Sequence, residues 1–182
     1  MLDEQNAFAV VAEAIRQERE RVKGWMKVPN KWRAAGLGLK ETYRRAKDSF
    51  EVARADPTDE KLHEWRKQAK YLFYQLEMLR PLWTERMDEM VREVDQVGEL
   101  LGDDHDLVVL RQLVNDGSEK LGDDGDRETL LALIDQRRGE VQQEVMLLGE
   151  RFFQDTVRDF ARRFSGYWKT WRVRVQQVEA LG

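Results

Sequence analysis

The sequence predicts an all-α protein, an antiparallel bundle of long helices. Three observations carry that expectation. Glycine (12) and proline (3) are scarce among 182 residues. Alanine, leucine, glutamate, glutamine and arginine fill the long segments, and these are good helix formers. Apolar residues recur three and four apart over many turns, the spacing that places them on one helix face. With 41% apolar residues the chain can build a core. Its length fits one domain, so residues 1–182 are read as a single helical domain.

A first helix is expected over residues 4–24, with Ala7, Val11, Ala14 and Ile15 on one side and Pro29 as its break. "AAGLGL" leads into a second, over residues 37–55, with Leu39, Tyr43, Ala46, Phe50 and Ala53 as its seam. "ADPTD" opens a third: Asp56 as cap, Pro57 at the first helical position, Asp59 as the acid of a capping box. It runs to Arg80, where Pro81 stops it. Its seam is Leu62, Trp65, Ala69, Leu72, Leu76 and Leu79. A fourth helix over 85–101 turns Met87, Met90, Val91, Val94, Val97 and Leu101 inward and ends at Gly102. "DDHD" then leads into a short helix over 106–114, with Asp106 as its cap. "NDGSEKLGDDGD" is the clearest loop. A long helix runs from Arg127 to Arg151, continuing or kinking into a last one that ends near residue 178. "LGDDHDL" and "LGDDGDR" share helix-boundary chemistry and do not mark a repeat. Trp25, Trp32, Trp83, Trp168 and Trp171 fall near segment ends and are expected to cover the ends of the bundle.

Composition excludes several function classes. The absence of cysteine removes disulfide scaffolds, thiolate metal sites and cysteine catalysis. The N-terminal segment has only a short apolar run and no basic region before it, unlike a signal peptide. No uncharged run approaches the ~20 residues that span a bilayer. The expectation is a cytoplasmic protein with no membrane partner. A net charge of −4 argues against nucleic acid as a specific ligand. The charge is nevertheless uneven. Residues 85–106 hold nine acids and two arginines, whereas residues 158–174 hold six bases and one acid.

A third basic cluster lies on the second and third helices. On a helical wheel Arg66, Lys67, Lys70 and Tyr74 all fall within about 60° of His63, and the apolar seam centres about 150° away. This stripe faces water or a second surface. Lys40, Arg44 and Lys47 share one face of the preceding helix and could widen the stripe into a groove. One reading is an anion site. Arginine offers a planar fork to phosphate, lysine a mobile charge, and protonated histidine two donors. The other reading is a solvated face laced with pairs to Glu60 and Glu64. Asp103, Asp104, His105 and Asp106 can all ligate metals, but consecutive residues rarely converge on one ion, and capping is the preferred reading. "GLG" at 36–38 lacks the lysine and spacing of a phosphate loop.

"LHEWRKQAKYLFYQLEML" with "ELLGDDHDLVVL" after it resembles the CHAD domain, the conserved-histidine α-helical domain. His63 matches its histidine, Arg66 and Lys67 the arginine–lysine pair, Lys70 and Tyr71 the next lysine and aromatic, and Asp106 the corner aspartate. Tyr43, Arg44 and Arg45 match the preceding segment, and "YWKTW" fits the aromatic C-terminal helix. The resemblance extends over residues 33–175 and is to the family's C-terminal half, one of two related helical halves. It implies a helical module that binds inorganic polyphosphate, with no cofactor, no metal and no catalysis of its own. The expected ligand-binding residues are His63, Arg66, Lys67, Lys70, Arg44, Arg45, Lys40, Lys47 and Tyr74. A homodimer, or a separate N-terminal half, would replace the missing part. The alternatives are a protein–protein adaptor and, less favoured, a metal-dependent phosphoanhydride hydrolase.

Overall fold

The computed structural model describes residues 13–17, 19–20, 32–117 and 124–179. The chain divides into two compact units, Met1–Ala35 and Gly36–Gly182. In the first, residues 13–17 and 19–20 are helical and exposed, and Arg16 pairs with Glu13 at 2.6 Å. Ala14 and Ile15 of the expected first helix lie on this exposed surface. Ala7, Val11 and the break at Pro29 lie outside the described residues.

The rest is all-α, with no strand among the described residues. The long helices are α1 (Trp32–Ala55), α2 (Asp59–Leu79), α3 (Thr84–Asp116), α4 (Asp124–Phe152) and α5 (Val157–Glu179). α1 begins earlier than the sequence suggests, and Gly36 and Gly38 lie inside it. Its seam is as expected: Leu39, Tyr43, Ala46, Phe50 and Ala53 are all buried. In α2 the seam residues Leu62, Trp65, Ala69, Leu72 and Leu76 are buried, and Leu79 is half-buried.

The cap of α2 is Thr58, whose hydroxyl accepts from Lys61 N at 3.4 Å. Asp56, the expected cap, pairs with the Lys61 side chain instead. Asp59 and Glu60 fall in the first turn, where the helix dipole favours acids. A 3-10 turn, Arg80–Leu82, holds Pro81 and buries Leu82 before α3 starts.

α3 corrects the largest sequence expectation. It does not end at Gly102 but runs 33 residues to Asp116, where Gly117 at φ 63° closes it. Glycine ends a helix when its freedom to adopt positive φ is used, and among the described residues only Gly117 uses it. Gly98 and Gly102, one turn apart, serve close approach. A Cβ on Gly98 would sit 2.8 Å from Lys70 Cε, and one on Gly102 would sit 3.5 Å from the Arg66 guanidinium. With no break at 102, "DDHD" is mid-helix and Asp106 caps nothing. The break between α4 and α5 is a real turn. Thr156 Oγ1 accepts from Asp159 N at 3.1 Å and starts α5.

Two kinds of packing hold the bundle. α3 lies close against α2 and α4. It runs antiparallel to both, since Arg66 meets residue 102 while Lys70 meets 98, and Glu93 meets Arg151 while Arg111 meets Asp135. α1 and α5 meet through large rings. Tyr43 stacks on Phe160 with centroids 3.7 Å apart, and Phe50 packs on Trp65 at 5.0 Å and Phe153 at 5.4 Å. Near the other end of α5, Trp83 lies 5.2 Å from Tyr167, and Trp168 lies 5.1 Å from Trp171.

Candidate functional site

The α2 stripe faces α3, the second surface that the wheel left open. Three positions on α2 meet three on α3 in antiparallel register. The His63 and His105 rings lie 5.2 Å apart at 45°. Arg66 lies over Gly102, and Lys70 passes over Gly98 to reach Asp95 at 3.2 Å. The two glycines flatten α3 where long cationic side chains cross it. Arg66 Nε is buried and has no hydrogen-bond partner among the described residues. A guanidinium N–H withdrawn from water without an acceptor is costly, so its position bears on what the site holds. Lys70 Nζ also stands 5.4 Å from the Phe73 ring, and Phe73 meets Tyr74 edge-on at 5.3 Å. Lys67 points outward and pairs with Glu64. That hydrogen bond holds the Lys67 ammonium above its ordinary pKa. The same bond, then one from Gln68, holds the Glu64 carboxyl below its own. Tyr74 is exposed.

The cations of α1 stand in a different setting. Arg44 donates to Glu41 at 2.8 Å and to Asp48 at 2.5 Å, and Arg45 donates to Glu41 at 2.8 Å. Hydrogen bonds from Arg44, then Arg45, pull the Glu41 carboxyl down to about 2. Lys47 turns to the α4–α5 corner, where its ammonium donates to the carbonyls of Phe153 and Asp155. Tyr43 OH donates to the same Asp155 carbonyl at 3.2 Å. Lys40 is exposed. The structure thus gathers His63, Arg66 and Lys70 on the α2–α3 contact, with Lys67 and Tyr74 at its outer edge. Arg44 and Arg45 carry local acid partners, and Lys47 holds a helix corner.

Sequence reasoning missed two features. One is His105, which the sequence places in a turn and which in fact faces His63. With α3 continuous, residues 63 and 105 fall in the same register as 66 and 102, and an unbroken helix would have revealed the pair. The other is Asp104, which is 2% exposed. It accepts from Arg138 Nε at 3.0 Å, from Arg138 Nη2 at 3.3 Å and from Gln142 at 2.9 Å. Arg138 also reaches Asp59 at 2.5 Å, so one guanidinium ties α4 to α3 and to the start of α2. Burial disfavours its charge, but the hydrogen bonds to Asp104 and Asp59 outweigh that and leave its pKa raised. Around the helix axis Asp103, Asp104, His105 and Asp106 splay apart at about 100° per residue. Asp104 goes inward, whereas Asp103 and Asp106 are less covered. Among the described residues no group of three or more such side chains could hold a metal ion, and no helix is long and apolar enough to cross a membrane.

The arrangement supplies donors: two imidazoles, a guanidinium fork and an ammonium on one helix–helix contact. It suits holding an anion across α2 and α3. No curated protein and no solved structure matches the chain. A family model, that of the CHAD domain, matches residues 4–115. This overturns the expected likeness to the family's C-terminal half over residues 33–175. The match begins at residue 4 and stops just before α3 ends, so the N-terminal part of this chain carries it. The His63 helix and the "DDHDL" segment lie inside the match, and "YWKTW" lies outside, where its aromatics serve the Trp83 end of the bundle. With the match covering more than half of its length, the chain belongs to the CHAD domain family.

Proposed function

We propose that the protein binds inorganic polyphosphate across the α2–α3 contact and acts as a binding module. His63, Arg66, Lys67 and Lys70 hold the chain of phosphates, and Tyr74 closes the stripe. Arg44, Arg45 and Lys40 on α1 add positive charge in support, whereas Lys47, expected to join them, is held at the α4–α5 corner. The observation that carries this reading is Arg66. Its Nε is buried without an acceptor beside Gly102, and the His63–His105 pair stands one turn away. A phosphate oxygen supplies the acceptor that Arg66 Nε lacks once the guanidinium turns outward. Lys70 and Lys67 already hold carboxylates, so a phosphate chain must exchange with Asp95 and Glu64. Exchange is cheap at the exposed Lys67–Glu64 pair, because such pairs contribute little in water, and costs more at the half-buried Lys70–Asp95 pair.

Calorimetric titration with polyphosphate of defined length tests the proposal on wild type, Lys67→Ala and His63→Ala, at two salt concentrations. Each phosphate contact adds roughly 0.7 to the log–log salt slope of a flexible polyanion, so Lys67→Ala lowers the slope by about that much. His63→Ala removes one donor from the α2–α3 contact and is expected to weaken binding at both salt concentrations. Equal affinity in all three proteins ends the assignment. Absence of binding by wild type moves the reading to a helical protein–protein adaptor. Sedimentation equilibrium on the same samples tests the homodimer, and a monomer with and without polyphosphate removes it.

A further inference from the structure

We infer that the α2 stripe takes a phosphate chain that carries a planar base, a nucleoside polyphosphate, and that Tyr71 and Tyr74 form its base platform. The inference rests on the phosphate reading above and names the rest of the ligand. It is motivated by the exposed side chains that continue the stripe beyond its cations. Tyr71 is 53% exposed, Tyr74 59% and Met78 74%. Single exposed apolar residues are ordinary, but these three share one helix face with Lys67 and Lys70, at steps of three and four residues. Cation and ring are physically connected: Lys70 Nζ lies 5.4 Å from Phe73, and Phe73 lies 5.3 Å from Tyr74. Phe73 thus braces one tyrosine from the side and leaves it exposed.

A bare phosphate polymer gains no more than a tyrosine hydroxyl from this surface. Its oxygens want donors, and a ring face presents electron density that repels them. A nucleobase gains stacking on a tyrosine and needs no sequence-specific contact. Spacing agrees. Lys67 to Tyr71 and Lys70 to Tyr74 are each four residues, about 6 Å along the axis, an offset that a ribose spans between phosphate and base. His63 to Lys70 is seven residues, about 10 Å, which accommodates a short phosphate chain. The acids of α3 also favour a short ligand over a long polyanion, since nine stand against two arginines over residues 85–106.

The test compares adenosine triphosphate with inorganic tripolyphosphate on the full chain without divalent metal. The readout is calorimetry with wild type, Tyr71→Ala, Tyr74→Ala and Tyr74→Phe. Wild type is expected to bind the nucleotide about tenfold more tightly than the inorganic chain, the scale of one stacked base. Tyr71→Ala, which lies outside the phosphate-holding set, is expected to lose most of that preference while keeping its tripolyphosphate affinity; Tyr74→Ala is expected to lose the preference and Tyr74→Phe to retain it. Equal affinity of wild type for the two ligands overturns the inference and leaves the phosphate reading standing. Binding of neither ligand overturns both. A shift in oligomeric state of Tyr74→Ala with unchanged nucleotide affinity also overturns it and assigns the tyrosines to contacts between copies. The tyrosines are exposed, so the variants fold, and far-ultraviolet circular dichroism verifies this.

Discussion

The α2–α3 contact and the ring cluster that joins α1, α2, α4 and α5 solve helix packing in opposite ways. At the first, glycines 98 and 102 let two helices come close, and the space between is crossed by cationic side chains that can move. At the second, Tyr43, Phe50, Trp65, Phe153 and Phe160 hold the helices apart and fill the gap with rigid rings. Gly149 sits in that second region too, yet its role differs. A Cβ there would lie 2.6 Å from Phe50 Cε2 and 2.9 Å from Trp65 Cζ2. Glycine against a flexible lysine leaves room to adjust, whereas glycine against a packed ring leaves none. The adaptable contact is the one that carries the candidate ligand site.

The largest effect is expected at the link that fixes the adaptable side. Arg138→Ala strips buried Asp104 of its cation and leaves Gln142 as its remaining partner. Removing one member of a buried pair costs about 3–5 kcal/mol, measured by urea unfolding. A loss under about 1 kcal/mol would show that water reaches Asp104 and that the pair is no more than a surface bridge.

The ring cluster responds to alkali. Burial pushes the Tyr43 hydroxyl up to about 12, against a smaller opposing pull from Arg163. In the unfolded chain a tyrosine ionises near pH 10. Above that pH the unfolded state sheds a proton that the folded state retains, so stability falls as pH rises from about 10 to about 12. Two pH units correspond to about 2–3 kcal/mol. Tyr43→Phe, which keeps the ring and removes the titrating group, is expected to flatten this alkaline limb in denaturant titrations at stepped pH. An unchanged limb would assign the loss to other groups.

Alanine at the two kinds of glycine sharpens the comparison directly. Gly149→Ala overpacks the rings and is expected to cost about 1–3 kcal/mol. Gly98→Ala meets only the far end of Lys70, which can swing aside, and replaces a poor helix former. It is expected to be neutral or to stabilise by up to about 1 kcal/mol. If both substitutions destabilise equally, the α2–α3 contact is as rigid as the ring cluster.

The seams of α1 and α2 were legible because apolar periodicity reports burial directly. Every seam residue of α1 is buried, and in α2 only Leu79, at the fraying end, is less than fully covered. In α3, Met87, Val91, Val94, Val97 and Leu101 are likewise buried, and Met90, expected with them, is half-buried. What periodicity could not report was the purpose of a glycine. Gly102 before a run of acids reads as a helix end, and the alternative depends on Arg66, 36 positions earlier in the sequence and on another helix. The same blindness hid His105 and Asp104. A buried aspartate is invisible until its partner, Arg138, is brought across from α4. The cations of α1 show the converse limit. Their helical spacing was legible, but Lys47 found its partners in two carbonyls at a corner more than 100 residues away.

That corner has a consequence for how the chain is made. Tyr43 and Lys47 are joined to Asp155 across separations of 112 and 108 residues. Synthesis proceeds from the N-terminus, so α1 emerges long before the turn that receives it. Contacts this distant also come late in folding, because the intervening loop must close before they reward it. Until Phe153 and Phe160 arrive, the ring face of α1 stays open to water or to other chains. A ribosome stalled before residue 153 therefore displays a nascent chain with the ring face of α1 uncovered, the stage at which chaperone capture and aggregation compete.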